Sequence, residues 1–237
     1  MQVLNKINNH VIICGLGRNG QQAANTLKAH GVPFVAIDYR EENLNSYLED
    51  NPDLVYIKGD ATQDELLIKA GIDRAIGLIC ALPTDADNVF IVLTARALSE
   101  KIKIVSRASN ASSIVKLKKA GANNVIMPDR IGGAQMATLL TQPDVVEFIH
   151  YLSDMTVNDA CIETIPYEKL SQDKKDKTLH EIIQQQKDSS IICIGIKNNE
   201  GKFIIKPQEN TILRQGMKLI VLGNKTHIQD FFEQPGN

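Results

Sequence analysis

From His10 onward the chain alternates short, uninterrupted apolar runs with longer stretches whose apolar positions recur at helical spacing. His10–Cys14, Val32–Ile37, Leu54–Ile57, Ala75–Cys80, Ile102–Val105 and Asn124–Met127 read as strands. Between them, Asn19–His30, Arg40–Glu49, Gln63–Ala70, Asp87–Ser99 and Ser112–Ala120 read as helices. The strand runs are continuous and rich in Val and Ile, as strands must be when helices cover both faces. Strand and helix in strict alternation predict an α/β doubly wound parallel sheet.

After Pro128 the pattern changes. Ile131–Thr141 and Val145–Leu152 predict two short helices separated by Gln142-Pro143-Asp144, where proline favours a turn and a new helix start. Their apolar stripe either packs back on its own domain or reaches a partner subunit. From about Val157 the chain turns β-rich, with strands expected at Cys161–Ile165, Ser190–Ile196, Lys202–Ile205 and Lys218–Leu222. Short helices are expected at Thr178–Gln186 and His227–Glu233, a turn at Asn198–Gly201, and a charged, solvated loop over Ser171–Lys177. This gives an α/β N-terminal domain over residues 1–130, a helical connection over 131–154, and a smaller α+β domain over 155–237.

Composition narrows the function classes. With 43% apolar and 23% charged residues the chain has the makeup of a folded protein. Its 26 basic and 28 acidic residues leave a net charge of −2, spread evenly, which gives no basic face for nucleic acid. No signal peptide opens the sequence, and its most apolar stretch, Ala75–Leu82, is far too short to cross a bilayer. Cys14, Cys80, Cys161 and Cys193 are scattered, without zinc-ligand spacing, and read as free thiols in a reducing compartment.

The sharpest local signal is Gly15-Leu16-Gly17-Arg18-Asn19-Gly20, directly after a strand and before a helix. In a Rossmann-like sheet such a loop turns tightly at its first glycine, admits a pyrophosphate at its second, and lets helix and strand pack at its third. Phosphate then meets the free N–H groups and positive dipole end of the helix. Asp38, 18 residues after Gly20, ends the second strand, where a carboxylate accepts ribose hydroxyls and disfavours a 2′-phosphate. Tyr39 follows it, Asp60 and Ala61 end the third strand, and Arg107 ends the fifth, across the crevice, with a guanidinium suited to phosphate. The bland alternative is a Rossmann fold kept for packing around an empty loop.

Catalytic chemistry is not apparent. His10 and His30 sit at element ends that suit caps or surface positions; His150, His180 and His227 pair with no carboxylate in a recognisable catalytic arrangement. Asp85, Asp87 and Asn88 form a polar cluster explained more simply by capping of the Asp87–Ser99 helix than by a cation.

The opening His10–Gly20 is similar to that of RCK domains, the regulators of potassium conductance that include the Trk/Ktr uptake regulators. The likeness continues through Gly59-Asp60-Ala61-Thr62, Lys118–Asn123, Val125–Pro128 and, in the small domain, Ile192–Ile196, Pro207 and Leu213–Gly223. The resemblance implies a non-catalytic, cytoplasmic sensor tethered to the inner face of the cell membrane through a potassium pore, with no other membrane contact. It implies dimers through the 131–154 helices and octameric gating rings. The pore lies in the same gene or on a partner chain. Its ligand would be NAD, NADH, ADP, ATP or AMP, with Arg107 matching the arginine of nucleotide-binding members. The acidic residues of calcium-gated members are replaced by Ala81, Arg107 and Ser109, so no metal is expected. Alternatives are a free-standing subunit of a Trk/Ktr-type uptake system and a small NAD-dependent oxidoreductase.

Overall fold

A computed structural model describes residues 7–153, 160–184 and 191–232. Residues 1–6, the boundary near residue 155, the Ser190 strand start, the end of the expected Thr178–Gln186 helix and Glu233 lie outside them. The chain divides into two compact units, Met1–Met136 and Ala137–Asn237.

In the first unit β1 (Val11–Cys14), α1 (Arg18–Ala29), β2 (Phe34–Asp38), α2 (Glu41–Asp50), β3 (Tyr56–Lys58) and α3 (Asp64–Lys69) form the first half. The second comprises β4 (Gly77–Cys80), α4 (Asp85–Leu98), β5 (Lys103–Arg107), α5 (Ala111–Ala120) and β6 (Asn124–Ile126). The strands form one parallel sheet in the order β3-β2-β1-β4-β5-β6. Central β1 shows why its sequence is apolar throughout. Ile12 and Cys14 pack on one face with Leu78, Ile91 and Leu117, whereas Val11 and Ile13 pack on the other with Leu16, Ala24 and Leu44. Alternation of strand side chains thus fills two cores from one run.

His10 departs from the expectation of a cap or surface site: it is fully buried, and its Nε2 donates to the Ala70 carbonyl at 2.8 Å. Its Nδ1 has no partner among the described residues. Burial, reinforced by nearby Arg74, holds the imidazole below its ordinary pKa of 6.5, outweighing the Ala70 bond and Asp73. A proton on Nδ1 would add a charge and an orphan donor to a dry site. The folded state therefore binds this proton less readily than the unfolded chain. Its contribution to stability is complete above pH 6.5 and is lost as pH falls from there toward the lowered folded-state value. Unfolding free energies from urea curves between pH 7.5 and 5.5 should fall, and below pH 6.5 the slope should approach at most about 1.4 kcal/mol per pH unit. In His10→Gln, which keeps a donor for Ala70, this component should disappear.

Helix α6 (Pro128–Thr141) begins in the first unit and runs past its end, and α7 (Pro143–Ser153) follows. No residue of α6 is buried. In α7 Val146 and Leu152 are buried, whereas Val145, Phe148 and Ile149 stay exposed, as do Met136 and Leu140 of α6.

The second unit continues with β7 (Ala160–Pro166), α8 (Leu179–Ile183), β8 (Ile191–Lys197), β9 (Phe203–Ile205), β10 (Lys218–Asn224) and α9 (Lys225–Phe232). Its antiparallel sheet has the order β7-β10-β8-β9, leaving β9 as an edge whose Phe203, Ile204 and Ile205 are all exposed. Thr178 and Glu181 start α8 with a reciprocal capping box. Residues 171–177 are not the solvated loop their charge suggests. Ser171 and Lys174 are buried, and the Lys174 ammonium donates to Ser171 Oγ at 3.1 Å and lies 4.6 Å from the centre of the Phe231 ring. A lysine can be covered here because its charge meets a hydroxyl, the Asp173 carboxylate at 3.2 Å and an aromatic face.

Candidate functional site

All six strands of the parallel sheet end at one edge, and the strand order reverses between β1 and β4. The loops leaving these two strands therefore diverge and open a crevice. A cleft of about 270 Å³ lies there. Of the residues expected from sequence, Gly15, Gly17, Arg18, Asn19, Asp38, Tyr39 and Arg107 line it. Arg40, Asn43 and the wall Ala81-Leu82-Pro83 join them.

The three glycines of the loop differ in what holds them. Gly15 has φ +93°, and a Cβ there would come within 2.9 Å of Leu82 Cδ2 and 3.2 Å of backbone. A Cβ on Gly20 would sit 1.9 Å from the Gly15 carbonyl oxygen. Both glycines are dictated by the fold. Gly17 is not: its backbone is extended (φ −73°, ψ −168°), open to any residue, and a Cβ would meet nothing within 4 Å. It also precedes α1, whose first turn carries no acidic residue and whose leading N–H groups lack intrahelical acceptors. The positive end of the helix dipole thus faces the cleft without a counter-charge from its own first turn.

Asp38 is largely committed to the protein. It is 4% exposed, and its carboxylate accepts the Leu16 N–H at 2.6 Å, the Arg40 N–H at 2.8 Å and the Asn43 amide at 3.0 Å. Leu16 is buried with its N–H spent on Asp38. Ala61 lies in the hydrophobic core, and Asp60 is exposed, accepting the Thr62 N–H and hydroxyl in a local turn. Leu16, Gly20, Asp60 and Ala61 are thus absent from the cleft lining.

Arg107 is under-satisfied. Its guanidinium meets one carboxylate, Asp129 Oδ2 at 3.4 Å, and its Nε is buried without an acceptor among the described residues. Sequence gave no hint of what positions it. Asn88 is fully buried, accepting the Leu82 N–H at 3.1 Å and donating to the carbonyls of Leu82 at 2.9 Å and Arg107 at 3.3 Å. One amide thereby ties the two walls of the cleft together. Asp85 is the first residue of α4, so the helix starts earlier than expected, and no side chain caps it. Instead Asp85 accepts the N–H groups of Ser109 and Asn110 at 2.7 and 3.0 Å, bracing the start of α5. Burial pushes its carboxyl up, but these bonds and the Ser113 hydroxyl outweigh it and hold it below the usual carboxylate range.

Cys14 and Cys80 are paired across β1 and β4, and both are free and buried. Burial drives both thiols upward, Cys80 to about 12, so neither supplies a thiolate. No cluster of three or more His, Cys, Asp or Glu suited to a metal is found among the described residues. Nor is any described helix long and apolar enough to cross a membrane. A somewhat larger hollow of about 350 Å³ lies at the opposite edge of the sheet, around Val32, Phe34, Tyr47 and Leu54. Its cation, Lys28, is already bonded to Asn51 at 2.5 Å, and the hollow lies by the negative end of α1. The chemistry favours the smaller cleft.

The TrkA-N domain family matches residues 11–128, and the TrkA-C domain family matches residues 175–236. Potassium channel protein 1 of Methanocaldococcus jannaschii is 37% identical over 97% of this chain and 67% of its own length. The Trk system potassium uptake protein TrkA homolog of Methanothermobacter thermautotrophicus is 30% identical over 90% of this chain and 93% of its own. Among solved structures, the GsuK channel bound to NAD aligns over 94% of this chain and 38% of its own, at 28% identity and a TM-score of 0.51. The human SLO3 gating ring, at 15% identity and a TM-score of 0.69, shares the fold. The chain thus spans about two thirds of the archaeal channel relatives and less than half of the solved channel.

Proposed function

Since the chain belongs to the TrkA-N/TrkA-C (RCK) family, we propose that it is the nucleotide-sensing regulatory region of a potassium channel. It binds NAD or an adenine nucleotide (NADH, ADP, ATP or AMP) in the glycine-loop cleft and passes that binding to a pore. The observation that carries this reading is Gly17. The fold has no need of a glycine there, and its missing side chain leaves open space over a helix N-terminus. The NAD-bound channel among the structural relatives supports the same ligand class.

In this reading the N–H groups of Arg18 and Asn19 receive the pyrophosphate, Gly20 serves the site by letting α1 pack against the loop, and Arg107 closes on the ligand from across the cleft. Asp38, with three of its roughly four lone-pair sites taken, accepts one ribose hydroxyl and repels a 2′-phosphate. Its larger task is to pin the loop through Leu16. Asp60 and Ala61 act through the shape of the third strand end. We read the protein as a sensor and not as an enzyme: burial keeps the Cys14 and Cys80 thiols protonated, and the buried His10 ring donates to a carbonyl away from the cleft.

The exposed apolar positions of α6 and α7 fit self-assembly through the 131–154 connection, first to dimers and then to an octameric ring on the cytoplasmic side of the pore. In this reading the domains span 1–130, 131–154 and 155–237, whereas the compact units, Met1–Met136 and Ala137–Asn237, divide the chain within α6. The ligand must bind the ring's two states unequally, since equal affinity shifts neither. A free-standing uptake subunit is the second reading, favoured by the archaeal TrkA homolog that this chain covers almost end to end.

Calorimetric titration with NAD, ADP and NADP tests the site. NAD or ADP should bind, and NADP should bind more weakly. Gly17→Thr keeps a residue that caps a helix about as well as glycine. Its urea midpoint should match the parent, whereas its nucleotide affinity should fall at least about tenfold, since the new side chain fills the approach to the phosphate site. Unchanged affinity would show that the loop is empty.

A further inference from the structure

Arg107 stands between two anionic claims. Only 18% of its side chain is exposed, along the cleft, yet its one ion pair among the described residues is long and its partner Asp129 is 80% exposed. Its Nε is buried with no acceptor among the described residues. Asp129 is the second residue of α6, a helix with no buried residue that leaves the first unit at Met136. The ion pair is therefore a side-chain tie between the cleft and the start of the connecting helix, at a place where packing contributes little.

A phosphate group is the stronger partner for this guanidinium. A pyrophosphate as a whole carries more charge than a carboxylate, and each of its phosphates accepts two parallel N–H donors, whereas Asp129 offers one oxygen at 3.4 Å. A phosphate on Arg107 also repels the Asp129 carboxylate beside it. We propose that Asp129 is a displaceable counter-ion: it occupies Arg107 in the unliganded chain, and a nucleotide phosphate takes Arg107 over and releases the first turn of α6. The proposal rests on the nucleotide reading of the cleft and adds how occupancy leaves it. Release needs little energy, because the contact is long, at 3.4 Å, and the Asp129 carboxylate that leaves it is already exposed to water.

Asp129→Asn provides the test, with NAD and ADP as probes. It removes the competing charge and keeps the side chain's size, so both ligands should bind about three- to fivefold more tightly than to the parent chain. Any loss of folding stability would act in the opposite direction, so a gain in affinity is not a structural by-product. In the double variant Arg107→Ala/Asp129→Asn the gain should vanish, as a pairwise coupling requires. Amide hydrogen exchange gives the second readout. NAD should speed exchange over Arg130–Ala134 in the parent, whereas in Asp129→Asn exchange there should be fast with or without ligand. Equal or weaker binding to Asp129→Asn overturns the latch, as does an α6 whose exchange NAD leaves unchanged or slows. If the parent binds neither NAD nor ADP, the nucleotide reading itself falls. If the parent binds and Asp129→Asn gains nothing, only the latch falls.

Discussion

Gly20→Ala is expected to lower the stability of the N-terminal unit by about 3 kcal/mol or more, the range of severe core overpacking. The sign is a contest. Alanine in the first turn of α1 gains roughly 0.5–1 kcal/mol in helix propensity over glycine. Against this, the new Cβ lies 1.9 Å from the Gly15 carbonyl oxygen, a backbone atom that cannot rotate away. Gly15 is itself held by its N–H to Ile37 O at 2.8 Å and by Leu82 on its other side. Helix α1 is held by buried Ala24. Relief requires moving a strand end or a helix, so the steric term wins. Urea unfolding measures it, and a loss below about 1 kcal/mol would contradict the loop packing described above. The contrast with Gly17→Thr, three residues earlier in the same loop, separates a glycine needed for folding from one left for a ligand.

Arg107→Ala should reduce affinity for NAD and ADP by about tenfold to a hundredfold, the worth of a charge-assisted hydrogen bond lost from a partly shielded site. The fold itself should lose little. The guanidinium's Nε has no acceptor among the described residues, and its ion pair reaches an exposed carboxylate. A calorimetric titration alongside a urea curve distinguishes the two effects. Unaltered affinity would remove Arg107 from the site. A large stability loss would show that it is a structural arginine instead.

The alternation of apolar runs and amphipathic stretches revealed the whole first sheet, because a parallel strand buried on both faces has to be apolar throughout. The glycine loop was legible for a similar reason: its backbone conformation and close packing restrict residue type at Gly15 and Gly20. Less visible were side chains whose role depends on partners distant in sequence. Asn88 and Asp85 read as helix-capping residues, yet each acts on backbone that only the folded sheet brings near. His10 looked peripheral because an element end is usually at the surface; here the α3 end covers it. Charge misled at Lys174, whose burial depends on Phe231 far along the chain. Asp38 was found at its expected place, but the donors that occupy it, Leu16, Arg40 and Asn43, come from two loops and a helix.

The edge strand β9 has a practical consequence for handling the second unit. Phe203, Ile204 and Ile205 present three consecutive exposed apolar residues on a strand with one side unpaired. Lysines, prolines or bulges commonly blunt such a margin, and within this strand none does. Expressed as a fragment, this unit offers a template for strand addition, and its self-association should rise with concentration more steeply than that of the first unit. Placing a lysine at Ile205, the most exposed of the three at 83%, is the natural first step toward a well-behaved fragment.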